Sequence, residues 1–197
     1  MYRFCISILF INEQERSPMQ LLTRLILIAL TAMSLSACRI VETVPFVDIP
    51  RYMGLWYQIA ANEVSFNEGL VGVTAEYTLL EDGSVEVLNK GYQDTLDGEL
   101  NQITGNATIW DEETNSKLKV VFPGAPDLPY PNYLIVVLDE AGYEYAAVTD
   151  PFEYTLFILS RSPEMSENTY AMILGELESL GVDTSELIIT PQAATAE

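Results

Sequence analysis

The chain has 197 residues, 49% of them hydrophobic, and a formal net charge of −20. That is room for one domain with an ample core beside an export segment, and the acidity excludes nucleic acid as a partner, because phosphate binding needs a basic face. Histidine is absent, and Cys5 and Cys38 are the only cysteines. This removes Ser-His-Asp and Cys-His catalysis along with the commonest transition-metal ligand, so neither a metal nor a cofactor is expected. The acidic excess reads as a hydrated surface that keeps copies apart, in a monomer or weak dimer.

The first predicted element is an address. Leu21 to Leu35 is almost wholly apolar, with Arg24 ahead of Leu25–Leu30, the layout of a signal peptide and too short for a comfortable membrane span. It ends in Leu35-Ser36-Ala37-Cys38, which resembles a bacterial lipobox. The resemblance implies cleavage before Cys38, acylation of that cysteine and a membrane anchor. Arg39 follows, not the aspartate that holds such proteins in the inner membrane, which points to the outer membrane and the periplasmic side. Residues 1–18 fit poorly ahead of this segment, and Met19 is the expected start. The expected organisation is a signal peptide at 1–37, a lipidated tether at 38–44, a barrel domain at 45–192 and a tail at 193–197.

Beyond the tether the pattern has period two. A strand is expected from Trp56 to Ala61. Val73, Ala75, Tyr77 and Leu79 then alternate with polar residues before the turn Glu81-Asp82-Gly83-Ser84, a hairpin signal. Val85, Val87 and Asn89 share one face of the next strand. Further strands are expected at 102–110, 117–122, 133–138, 143–149 and 156–160. Eight short antiparallel strands at regular spacing give an all-β sandwich or barrel, and an eight-stranded barrel has room for one small ligand. Ser166 opens a helix whose face carries Tyr170, Ile173, Leu174, Leu177 and Leu180, and Gly181 ends it. A short strand at 187–190 closes the pattern.

Several of these stretches resemble the lipocalin family. Gly54-Leu55-Trp56-Tyr57, behind Ile49-Pro50-Arg51-Tyr52-Met53, resembles its opening Gly-x-Trp signature. Thr149-Asp150 with Tyr154 is similar to the second motif and Ile158–Pro163 to the third. Phe66–Leu70 is similar to the first large loop of bacterial and apolipoprotein D-like members. The match runs in order from about Pro45 to Gln192. It implies an eight-stranded up-and-down barrel with one C-terminal helix packed on its outside. It also implies that the Arg161 guanidinium lies across the Trp56 indole, over Gly54, to close one end, and that Tyr77, Asn89, Tyr133 and Phe157 line a pocket. Two positions depart from the family: Asn67, where a basic residue is common, and Phe157, where tryptophan is common. Both bear on the choice of ligand.

The strand phase agrees with that lining, since Ala75 and Tyr77, Val87 and Asn89, Tyr133 and Ile135, and Phe157 and Leu159 fall on common faces. These residues either surround a ligand or fill a closed core, and Asn89 favours the first because a buried amide needs partners. Phe66 is either a gate or loop packing. Pro123, Pro126, Pro129 and Pro131 make a stiff rim loop. The expected function is an envelope lipoprotein that carries or stores a small hydrophobic ligand such as a fatty acid or lysophospholipid, its tail reaching the closed end near Trp56 and Arg161. The alternative is an enzyme acting on a lipid-like substrate on the same scaffold. A transmembrane barrel is excluded by Thr74, Glu76, Glu86, Lys90, Lys117 and Lys119 on the outward face.

Overall fold

The computed structural model describes residues 41–193. Cys38 and the signal segment lie outside the described residues. Pro50 sits in the first turn of a one-turn helix, α1 (Ile49–Tyr52), where its missing N–H costs nothing and the Asp48 side chain caps Arg51 N. No helix is expected here from the sequence pattern.

Strands then follow in order: β1 (Gly54–Asn62), β2 (Leu70–Leu79), β3 (Val85–Gln93), β4 (Leu100–Ile109), β5 (Lys117–Val121), β6 (Tyr133–Leu138), β7 (Tyr145–Thr149) and β8 (Leu156–Ser160). Each pairs antiparallel with the next, and β1 closes the circle by pairing with β8. The result is a closed eight-stranded antiparallel barrel. Helix α2 (Glu167–Ser179) packs on its outside, and β9 (Leu187–Ile189) pairs with β1.

Period-two alternation produces two separate apolar clusters. Trp56, Tyr77, Val85, Val87, Ala107, Leu118, Ile135, Val148 and Leu159 point inward. Ile59, Leu134, Val136, Ala147, Leu156 and Ile158 point outward, where Ile173 and Leu177 of α2 cover them. Three register shifts interrupt the alternation, one of them in β2 between Val71 and Thr74. The one between Ile135 and Val137 leaves both Val136 and Val137 outside and returns Leu138 to the interior. The third lies between Gln58 and Ala60.

This shift in β1 accompanies its departure from β2, with which it pairs only from Gly54 to Tyr57, toward β9, which it meets from Ala60 to Asn62. The C-terminal segment stitches the resulting gap. Thr190 N donates to Ile59 O at 2.9 Å and Gly72 N to Pro191 O at 2.7 Å. Gln192 Nε2 donates to both Gln58 O and Val73 O, and Gln58 Nε2 donates to Thr190 Oγ1 at 2.8 Å.

Candidate ligand-binding site

Because the strands run up and down, α1 and the turns after β2, β4 and β6 share one end, and the loops after β1, β3, β5 and β7 share the other. The first end is sealed. Arg161 lies 3.8 Å from the Trp56 ring centroid, a cation over an aromatic face. Its guanidinium donates to the carbonyls of Leu55, Arg51, Tyr52, Met53 and Tyr143. Burial lowers its pKa, an effect opposed by the phenol of Tyr52 and the carboxylate of Glu144. Gly54 adopts φ +94°, in the left-handed region, with Arg161 Nη1 beside the place a Cβ would take. Trp56 is wholly buried, and its indole N–H donates to Tyr52 O at 2.8 Å.

Above this plug stand three tyrosines. Tyr133 Oη is 2.8 Å from Tyr52 Oη and 2.9 Å from Tyr77 Oη, and the rings of Tyr52 and Tyr77 pack 5.8 Å apart. Burial pushes the Tyr77 phenol up to about 12 and those of Tyr52 and Tyr133 well above their ordinary value. The hydroxyls satisfy one another. Tyr77 and Tyr133, expected from the sequence to line a pocket, thus belong to the floor. The cavity that they border with Val85, Ala107, Leu118 and Val120 measures about 10 Å³, no more than the space of one water molecule.

The other half of the interior is open. Asn89, Ala75 and Ile103 face one another across β2, β3 and β4, since directly opposed residues share a face. Ala75 and Asn89 are half-buried, and Ile103, although it points inward, is 43% exposed. Leu70 and Val73 lie over Gly91, one inward step nearer the rim. Phe122 lies across Gly105, whose missing side chain makes the space. Phe157, on the far wall, is also half-buried. Asn89 Oδ1 is buried without a hydrogen-bond partner. Asn62 Oδ1 is in the same condition, but Asn62 pairs with Leu187, which packs on the outer cluster.

At the rim, Phe66 is 66% exposed on the β1–β2 loop, away from the interior residues. Asn67 braces that loop, with its Oδ1 accepting from Val64 N and its Nδ2 donating to Asn62 O. Tyr130 and Phe152 meet in a T-shaped contact across the β5–β6 and β7–β8 loops, and Phe152 packs at a tilt on Tyr154. The structure therefore divides the residues expected to bind the ligand and keeps the expected plug apart from them. Gly54, Trp56 and Arg161 form one plug, Tyr77 and Tyr133 a floor, Asn89 and Phe157 an open chamber, and Phe66 stands outside it. Sequence reasoning assigned no role to Tyr52 or Ile103. Tyr52 stands within the stretch ahead of the Gly-x-Trp signature, and strict alternation along 102–110 turns Ile103 inward.

The order of these parts, with a capped barrel end, an arginine over the tryptophan and an external helix, is matched in sequence. Residues 47–192 fit the family model described as a lipocalin-like domain. The chain belongs to the lipocalin family. This lipocalin is 34% identical over 173 residues to the outer membrane lipoprotein Blc of Vibrio cholerae, covering 86% of this chain and 99% of that one. It is 37% identical over 145 residues to Blc of Escherichia coli, covering 74% and 79% of the two chains. Mouse apolipoprotein D is 32% identical over 151 residues, with 74% and 77% covered. Among solved structures, insecticyanin from the tobacco hornworm Manduca sexta aligns with a TM-score of 0.60 at 19% identity, over 81% of this chain and 88% of that one. The cockroach allergen Per a 4 aligns with a TM-score of 0.58 at 21% identity, over 77% and 93%. Those two likenesses speak for the fold alone.

Proposed function

We propose that this lipocalin carries or stores one small, lipid-like molecule in the open half of its barrel, and that it does so as an envelope lipoprotein anchored through an acylated Cys38. The observation that carries the reading is the exposure of inward-pointing apolar side chains at the wide end, Ile103 above all, beside a buried amide oxygen with no partner. An apolar surface turned into a concave, solvent-open chamber gains free energy when an apolar body covers it, about 0.8 kcal/mol for each methylene. The floor cavity of about 10 Å³ stops such a body above Tyr77 and Tyr133. This amends the expectation that a tail reaches Trp56 and Arg161.

Carriage without chemistry is supported by the residues present. The sequence contains no histidine, and the buried tyrosine hydroxyls are engaged with one another. The relatives named outer membrane lipoproteins and the lipobox-like Leu35–Cys38 support a lipid anchor in the outer membrane with the barrel toward the periplasm. Two or more acyl chains anchor stably where one does not.

The test is a titration of single-chain amphiphiles of graded length against the Cys38→Ser form. Saturable binding that strengthens with chain length and then levels off is expected, with dissociation constants on the order of micromolar. Ala75→Phe, which fills the chamber beside Asn89, should abolish it while the circular dichroism stays that of a barrel. Binding untouched by that substitution would place the ligand elsewhere. In cells, Cys38→Ser should move the protein from the membrane to the soluble fraction, and retention after a high-salt wash would refute the anchor.

A further inference from the structure

We infer that the chamber selects an uncharged ligand that both donates and accepts hydrogen bonds, seated polar end inward against Asn89, and that it rejects carboxylate and phosphate head groups. This rests on the carrier reading above and narrows it to a ligand class.

The first observation is where the interior leaves a polar group unmet. Below Asn89 the barrel is close-packed by Val87, Ile135, Val148 and Leu159, each at most 4% exposed. The tyrosine hydroxyls deeper still bond one another. Asn89 Oδ1 has no partner, and no protein bond fixes the amide among the described residues. An amide that is free to turn offers both a donor and an acceptor. A primary amide or a hydroxyl can answer both. A carboxylate only accepts, so it can bond the amide N–H but leaves the buried oxygen as unmet as before, and it gains less than a ligand that answers both. Around and above Asn89 the chamber wall is Leu70, Val73, Ile103 and Phe157. The polar complement of the site is therefore deep and its apolar complement lies nearer the mouth.

The second observation is charge. The four loops at the open end, residues 63–69, 94–99, 122–132 and 150–155, hold Glu63, Glu68, Asp94, Asp97, Glu99, Asp127, Asp150 and Glu153 and neither lysine nor arginine. Asp127 is neutralised by Lys119, and Asp150 is spent on the amides of Phe152 and Thr155; the others stand at the mouth. Among the described residues the remaining cations are elsewhere. Arg51 and Arg161 are at the sealed end, Lys117 pairs with Asp111 beside it, and Lys90 lies on the outward face opposite Thr74 and Gln102. An anion entering the chamber passes like charges and finds no counter-charge, and burying it unpaired is expensive.

Three ten-carbon probes separate the terms in the Cys38→Ser protein at pH 8: decanamide, its N,N-dimethyl amide and decanoate. Decanamide should bind about tenfold more tightly than the dimethyl amide, which is uncharged but has no donor, and at least tenfold more tightly than decanoate. Asn89→Leu should erase the difference between the two amides and leave decanoate the weakest. Ile103→Lys, which brings a cation to the chamber, should raise decanoate affinity at least tenfold. Equal binding of decanamide and decanoate overturns the head-group inference and leaves the carrier reading standing. If none of the three binds, both fall.

Discussion

At the sealed end every polar group has an answer. Arg161 serves five carbonyls, the Trp56 N–H and three tyrosine hydroxyls are engaged, and Gly54 holds a positive φ beside the guanidinium. At the open end the same inward-facing positions carry an exposed isoleucine, a half-buried phenylalanine and an amide without a partner. Both ends belong to the same strands, so the contrast is not one of architecture. It separates residues whose removal destabilises the protein from residues whose removal changes only what it holds.

That separation breaks first under alkali. The phenol of Tyr77 has its folded pKa raised from 10.0 to about 12, and Tyr52 and Tyr133 are raised as well. A raised pKa means that the folded state keeps its protons longer than the unfolded chain. The stabilisation is therefore fully present below pH 10 and is lost as pH climbs through about 12. Unfolding in that window, with tyrosinate absorbance appearing together with loss of the barrel's circular dichroism, is expected. Smooth tyrosine titration on a folded barrel would contradict the burial of the trio.

Arg161→Ala comes next, at roughly 3 kcal/mol and about 9 °C in Tm, because the carbonyls it serves lose their donor together with the indole contact. Gly54→Ala should cost about 2 kcal/mol through backbone strain at positive φ. In a double-mutant cycle, Trp56→Ala and Arg161→Ala should couple by ~1 kcal/mol, and strictly additive losses would deny the stacking. At the other end, Phe66→Ala and Ile103→Ser should shift stability by less than about 0.5 kcal/mol. Ile103→Ser should nonetheless weaken ligand binding severalfold. A large stability loss there would mean that the open chamber is core after all.

Much of this was legible in the residues. Alternation located the strands to within a few positions, and Ser166 with Gly181 framed α2, because capping and period are local. The Gly-x-Trp stretch and Arg161, more than a hundred residues apart, could be joined only through family resemblance, since nothing local ties them. Period two carries no warning of the shift at Ile135–Val137. Two bulges decide which valines face α2 and where β1 leaves β2, and a bulge is settled by packing on both sides of the sheet. The split of the expected lining into floor and chamber was also hidden. Tyr77 and Asn89 carry the same phase signal, and only the tyrosine hydroxyls meeting across the barrel show that one is floor and the other is not.

The stitching of the gap beside β1 has a meaning in time. The strand made first is bordered by β8, β9 and the segment from Thr190 to Gln192, which are made last. Pairings so distant along the chain form slowly, and a growing chain cannot make them until its end has emerged. A copy cut short before Thr190 would leave Ile59 O and Gly72 N bare at an open sheet edge, the kind of edge that captures other chains. The barrel thus tests its own completeness: only a finished chain can bury its seam, and an unfinished one stays open and recognisable.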